Sequence, residues 1–571
     1  MVRTIINKTT DDAYSRDWNN SRPLDVHSWS DYPEVNSFIY GIYSQYFTDI
    51  NRNTRIAKKH IKKVLLDLYV AWVDDPDLNI SVHMRKESYS NGVAVDQGRY
   101  NVLNIKASTI KVIHRLIEVD LIGFKKGKEK GEGYERGFIS RIWSTPKLIN
   151  LFEKVRFGIF DIGYNDSRLV LVLNKTTKEK IDGKTKRIVK LIEYEPDKLP
   201  LKVKKMEQVV KDYNALLERT FIDIGDAETY RVLIPATKKR KNKNKEVFVN
   251  ITHHSKFTHR VFNNGNWKQG GRFYGGWWQR VGSKIREKIL IDNHRTVEVD
   301  WSALHPILAY GTKGLEYEDE YPYNIPVRFI DGLGINNPDV SKTIVKLLML
   351  MALNASDDDS LFQAFRGEFY KTTDWQIIKN VSTGFKITNE KLKIVLEDIK
   401  QKHSPIADMF NTKAALDLMN LDSQIVEYVI KKFTERDEPI LQIYDSFIVR
   451  QNELKKLIDC MYEGFYEVTG KRIISIKQLQ ECVTTRTQVN AFKHSDFDYW
   501  LDNHQQAEPE FSETCEGYNR RFNRHFKHYF KKENAHSKFV MYNEILDASN
   551  KKLYEEEMLK EFKKLQDKPN E

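Results

Sequence analysis

The chain has 571 residues, enough for two to four domains, and 40% of them are hydrophobic, so it can bury real cores. Lys and Arg exceed Asp and Glu by 92 − 80 = 12, and such a surplus favours a polyanionic partner because phosphate contacts release counterions. Three scattered cysteines (Cys460, Cys482, Cys515), no apolar run of about 18 residues and an opening MVRTIINKTTDDAYSRD without an apolar core argue against a disulfide scaffold, a clustered zinc site and a membrane span, and point to a reducing, cytoplasmic setting.

Residues 1–50 are polar and aromatic without sustained periodicity and read as an N-terminal arm. Arg55 to Trp72 reads as a helix with Ile61, Leu65, Leu68 and Trp72 on one face, and Asn79 to Met84 alternates as a short strand. Ser108 to Val119 reads as a second helix, with Ser108 or Thr109 as N-cap. Its apolar side is Ile110, Ile113, Leu116 and Ile117; its other side carries Lys111, His114, Arg115 and Glu118. Two strands, near Ile122–Lys125 and Phe138–Trp143, then flank a Gly/Lys/Glu-rich tip. Helix, helix, hairpin over residues 51–160 resembles a winged helix. That arrangement places the second helix, here with Lys111 and Arg115, against DNA and the hairpin against phosphates; a role in protein contacts fits the same pattern. Residues 161–250 hold a strand-like stretch from Arg168 to Leu173, a helix from Lys204 to Glu218 and the tract Lys238–Lys245, either a solvated loop or a segment tracking phosphates.

The most informative stretch is Thr296–Gly311, TVEVDWSALHPILAYG. Val297 and Val299 alternate with Glu298 as a strand that stops at Asp300, and a turn then enters a helix. Leu441–Val449, LQIYDSFIV, is a second apolar strand with Asp445 in a tight bend and a further strand, Phe447 to Val449, leaving it. If these strands share a sheet, the two carboxylates meet and repel unless a cation lies between them. Between them in sequence, Ser341–Ala355 is a strong helix pattern on which Lys342, Lys346, Leu350 and Asn354 form one stripe.

Acid strand, lysine helix and acid hairpin, in that order, resemble motifs A, B and C of the single-subunit polymerases, the superfamily of family A DNA polymerases and phage-type RNA polymerases. DWSALH is similar to the family A DYSQIE, KxxxKxxxLxxxNA to R/KxxxKxxxF/MxxxYG, and IYDSF to the phage RNA polymerase IHDSF. Gly270–Val281, GGRFYGGWWQRV, resembles the TGR element of family A and the RGRxY element of the RNA polymerases. The resemblance spans roughly residues 255–480 and implies an α+β fold. That fold is a right-hand palm of antiparallel strands with mostly helical fingers (251–490), after a connector or reduced thumb (161–250) and before a charged helical C-terminal region (491–571).

It also implies template-directed nucleotidyl transfer on a DNA, or RNA, template and primer, with nucleoside triphosphates as substrates. Asp300 and Asp445, with the backbone carbonyl of Trp301, would ligate two Mg²⁺, for which Mn²⁺ substitutes. Lys346 would contact the triphosphate and protonate the leaving group. Lys342 stands where an arginine is usual and loses its bidentate geometry. Arg272 would grip a template or primer phosphate, and Tyr444, in place of histidine, would support the primer end. His305 replaces the gating glutamate and Asn354 the usual tyrosine, so sugar choice stays open. Bulk at His305 excludes a 2′-hydroxyl, whereas its nitrogens and Asn354 bind one. DNA synthesis in a phage or mobile element is favoured, with a phage-type RNA polymerase or primase, and a DNA-binding replication initiator with an inactive palm, as alternatives.

Overall fold

The computed structural model describes residues 16–49, 54–89, 105–128, 138–164, 169–181, 184–234, 247–301, 303–317, 321–335, 337–471, 483–485 and 514–532. The Lys238–Lys245 tract, most of the hairpin tip and the helical pattern from Tyr554 to Leu565 lie outside them. Helices and largely antiparallel sheets combine into an α+β protein of two compact units, Met1–Leu169 with Thr177–Tyr194, and Val170–Thr176 with Glu195–Glu571.

The hub of the first unit is helix Thr54–Asp74, whose Ile61, Val64, Leu65 and Leu68 are buried at helical spacing. Lys63 and Asp67 are buried on it too, and each has a partner. Lys63 Nζ donates to the Ser28 carbonyl at 3.1 Å, and Asp67 pairs with Arg22 Nη2 at 2.7 Å. The stretch read as an irregular arm contains a helix, Pro33–Tyr46, with Pro33 in its first turn. Its buried residues, Val35, Ile39, Ile42 and Tyr43, fall at i, i+4, i+7 and i+8. Exposed Tyr40 and the half-buried Phe38 blur that spacing in the sequence.

Helix Ser108–Glu118 forms as expected, but neither Ser108 nor Thr109 caps it; the N-cap is Ala107. Their hydroxyls meet the two ring nitrogens of His60 instead, Ser108 Oγ at 2.7 Å from Nε2 and Thr109 Oγ1 at 2.9 Å from Nδ1. This turns the helix so that Thr109, Val112, Ile113 and Leu116 are buried and Ile110 and Ile117 only half-buried. Strand Ile122–Lys125 pairs antiparallel with Ser140–Ser144, which pairs with Asn79–Val82, itself parallel to Ser21–Pro23.

His60 gives the first unit a pH signature. Burial, then Lys59 and Lys106, lower its pKa to about 4. The folded ring therefore stays neutral while the unfolded one takes a proton below about 6.5. Its contribution is complete above pH 6.5 and is lost as the pH falls towards 4, roughly 1–3 kcal/mol in all. Thermal unfolding between pH 7.5 and 4 should show His60→Gln losing less stability than wild type over that window; parallel curves would contradict this.

In the second unit five strands run in the order Leu441–Ile443, Ser446–Arg450, His294–Trp301, Ile289–Ile291 and Ile222–Ile224, each antiparallel to its neighbour. Strand His294–Trp301 does not stop at Asp300. Val483–Thr485 pairs with Val299–Trp301 and carries it one residue further. Helix Ala415–Glu435 packs against helices Leu201–Arg219, Leu304–Thr312 and Leu454–Thr469 and against strand Gly270–Gly275. That strand pairs antiparallel with Thr258–Phe262, which is parallel to Leu171–Leu173. Helix Pro338–Asn354 starts at Asn337, whose side chain accepts from the Asp339 amide at 3.0 Å, and packs on helices Asp358–Phe369 and Asn389–Lys402.

Candidate active site

Register decides where the two acids go. The strands pair as Thr296↔Arg450, Val297↔Val449, Glu298↔Ile448 and Val299↔Phe447. One step further, Asp300 comes level with Ser446, the neighbour of Asp445. Both acids thus lie at one end of the sheet, and both are partly buried. Asp445 is the second residue of a two-residue hairpin loop closed by the pair Ile443↔Ser446. The first, Tyr444, takes a left-handed backbone (φ 58), a strained conformation for an aromatic residue.

A buried ion pair supports this turn. Glu298 shares the Asp300 face of its strand by two-residue alternation. It accepts from Arg286 Nε at 2.8 Å and Nη2 at 3.0 Å, and from Ser446 Oγ at 3.3 Å. Arg286 also donates to the Val281 carbonyl at 2.9 Å. The far strand is tied in through GGRFYGGWWQRV. Buried Trp278 donates from Nε1 to the Gln442 carbonyl at 3.0 Å, and the Gln279 amide bonds the Gln442 side chain.

Arg272 is not extended towards solvent. Its Nε donates to Asp422 Oδ2 at 3.0 Å and its Nη2 to the same oxygen. His305 Nε2 lies 2.8 Å from that oxygen and 3.1 Å from Arg272 Nη2. Asp422 is fully buried, while Arg272 and His305 keep a small exposed edge. His305 Nε2 is thus within hydrogen-bond reach of both members of the ion pair. Burial works against the Arg272 charge, yet Asp422 and then Asp445 hold its pKa above the usual value. Its guanidinium carbon is 6.0 Å from the Tyr444 ring, and Tyr444 meets Tyr274 edge-on at 6.0 Å.

The lysine helix buries Val340, Ile344, Val345, Leu348, Met349, Ala352 and Leu353, which leaves Lys342 and Lys346 exposed. Two tyrosines receive them. Lys346 Nζ is 6.0 Å from the Tyr323 ring and Lys342 Nζ 5.8 Å from the Tyr321 ring, with the rings edge-on at 5.3 Å. Burial, then Tyr321 and Asp445, push the Tyr323 hydroxyl well above its ordinary pKa. Lys342 also faces its own Asp339 at 4.0 Å. Asn354 is exposed and bonds the Leu350 carbonyl of its own helix at 2.8 Å.

No family model matches the chain, and no curated protein does. Among solved structures it is matched to the POL domain of Pol1 from M. smegmatis in complex with DNA primer-template and dNTP, at 12% identity and a TM-score of 0.23. The match covers 40% of this chain and about half, 47%, of that one. A TM-score at this level bears on neither fold nor function.

In the first unit, Lys111 is exposed, but Arg115 is spent on the protein itself. It donates to the Tyr46 carbonyl at 2.7 Å and to both Asp49 oxygens at 3.1 and 3.0 Å.

Sequence reasoning missed Asp422, Tyr321, Tyr323 and the Arg286–Glu298 pair. Asp422 had a readable signal. It stands in the apolar stripe of Leu418, Ile425, Val426 and Val429, a core position where an acid needs a cation. Asn420 and Gln424 on the same helix bond elsewhere: Asn420 to the Gly270 carbonyl at 3.2 Å, Gln424 to Lys202 at 3.1 Å.

Proposed function

We propose that the second unit is a template-directed nucleotidyltransferase, a DNA polymerase in the first instance. The observation that carries this reading is the register that sets Asp300 beside Ser446 and hence beside Asp445. Among the described residues no three acidic, histidine or cysteine side chains converge on one point. Mg²⁺ suits such a site, since it is commonly held by one or two carboxylates with substrate phosphates and water completing the octahedron. Asp300, Asp445 and the Trp301 carbonyl are the groups that would hold it. Bound there, the metal would lower the pKa of an attacking 3′-hydroxyl and stabilise the leaving pyrophosphate.

The chain's own residues supply the rest. Lys346 contacts the triphosphate and offers a proton to the leaving group, with the Tyr323 ring 6.0 Å from its ammonium. Lys342 adds charge one turn away, where it trades Asp339 for phosphate. His305 and Asn354 stand as candidates for the nucleotide's sugar side, and Tyr444 offers an aromatic face to a terminal base. Arg272, engaged by Asp422, presents only its remaining edge to a phosphate. In the first unit, the helix with Lys111 and the hairpin after it form a winged-helix-like candidate for nucleic-acid contact.

The test is extension with Mg²⁺ on a DNA template, comparing dNTPs with rNTPs on primed and unprimed strands. Extension of a primer by dNTPs is the expected result. Ribonucleotide products without a primer would move the unit to the RNA polymerase or primase class. Template binding with no product in any arm would leave an initiator with a retired site.

A further inference from the structure

Among the described residues, the buried acid that the proposed chemistry does not use but that touches two of its residues is Asp422. Its side chain is fully buried on helix Ala415–Glu435 and reaches Arg272 on strand Gly270–Gly275 and His305 on helix Leu304–Thr312. Three elements therefore meet at one carboxylate. Two acids act on Arg272: Asp422, with two hydrogen bonds from the guanidinium to one oxygen, and Asp445, whose charge reaches it through space and whose hairpin partner Tyr444 has its ring 6.0 Å from the guanidinium carbon. A guanidinium deprived of one carboxylate in a poorly solvated place turns to the next, because an unpaired buried charge is strongly unfavourable.

We infer that Asp422 is a positioning residue: it is the counter-ion that keeps Arg272 off Asp445 and so reserves Asp445 for a divalent cation. The inference rests on the metal-binding reading of Asp300 and Asp445. It goes beyond that reading in making metal affinity depend on a buried acid that itself ligates nothing. The same Asp422 oxygen lies 2.8 Å from His305 Nε2, so the ring shares this counter-ion.

Mn²⁺ binding to the full chain, followed by the electron paramagnetic resonance signal of the free ion, tests it without substrate or turnover. An Asp445→Asn variant defines which binding belongs to the site. Asp422→Asn should weaken that binding about 10- to 100-fold, the usual size for losing a supporting partner of a metal ligand. Asp422→Asn combined with Arg272→Gln should restore it, because the competing cation is gone. Arg272→Gln alone should bind Mn²⁺ at least as well as wild type, so weaker binding there overturns the inference even if Asp422→Asn does not fold.

Wild-type affinity in Asp422→Asn overturns the inference. So does equal weakening in the double variant, which would mark Asp422 as merely structural, and so does weaker binding in Arg272→Gln. Wild type showing no Asp445-dependent Mn²⁺ binding would instead overturn the metal-site reading and, with it, this inference.

Discussion

Asp445→Asn should lower nucleotide incorporation by about 10³-fold or more, and Asp300→Asn by a similar factor, with the folded protein intact. The magnitude follows from the several kcal/mol of transition-state charge that a correctly held divalent ion stabilises, at about 1.4 kcal/mol per factor of ten. The sign of the stability effect is the sharper part. Register brings Asp300 level with Ser446, the residue after Asp445, and like charges gathered at one end of a sheet repel unless a cation lies between them. Removing either charge should therefore leave the melting temperature unchanged or slightly raised without Mg²⁺, and should abolish any rise caused by adding Mg²⁺. Binding to a labelled primer-template, read by fluorescence anisotropy, should change less than about threefold, since phosphate contacts dominate such affinity. Incorporation within tenfold of wild type in both variants would remove these acids from the chemistry. A large fall in melting temperature would recast them as structural.

Glu298→Ala should destabilise the second unit by about 3–5 kcal/mol, because it strands the buried Arg286 guanidinium. Glu298 is 4% exposed and takes two hydrogen bonds from Arg286, so the substitution leaves a charge that water cannot reach. Urea unfolding followed by tryptophan fluorescence reads this directly, since Trp277, Trp278 and Trp301 are all buried in this unit. Glu298→Gln should lose less, as an amide oxygen still accepts from Ser446 and from one guanidinium nitrogen. Incorporation should fall with both variants, because Arg286 and Glu298 brace the strand beside the Asp445 hairpin, while the Ser446 hydroxyl keeps the Ile443 carbonyl at 3.1 Å as an acceptor. A Glu298→Ala protein as stable as wild type would mean that the pair is solvated.

Local patterns carried the two acid-bearing strands well. Alternation at Val297 and Val299, and the apolar runs on either side of Tyr444–Asp445, are two-residue periodicities that any strand must show, and they form strands here. The lysine helix was legible for the same reason: its buried residues repeat at helical spacing and leave Lys342 and Lys346 outside. Strand ends and caps were less legible. Asp300 lies inside its strand because Val483–Thr485, nearly two hundred residues away, supplies hydrogen bonds that no local signal announces. Ser108 and Thr109 are good capping residues by type, but His60 on another helix takes their hydroxyls.

The sequence by itself determined which residues are acids and lysines, the periodicity that makes strands and helices of their neighbourhoods, and the order acid, lysine helix, acid. Those properties depend on contacts within one or two turns of chain. Only the tertiary structure decided that Asp300 falls level with Ser446, that Glu298 and Arg286 brace the hairpin, and that Asp422 holds Arg272 and His305 together. Each of these joins residues 12 to 150 positions apart, and a buried charge gives its partner no local signature. Where a carboxylate finds its cation is set by which elements pack, and packing is decided by the whole unit at once.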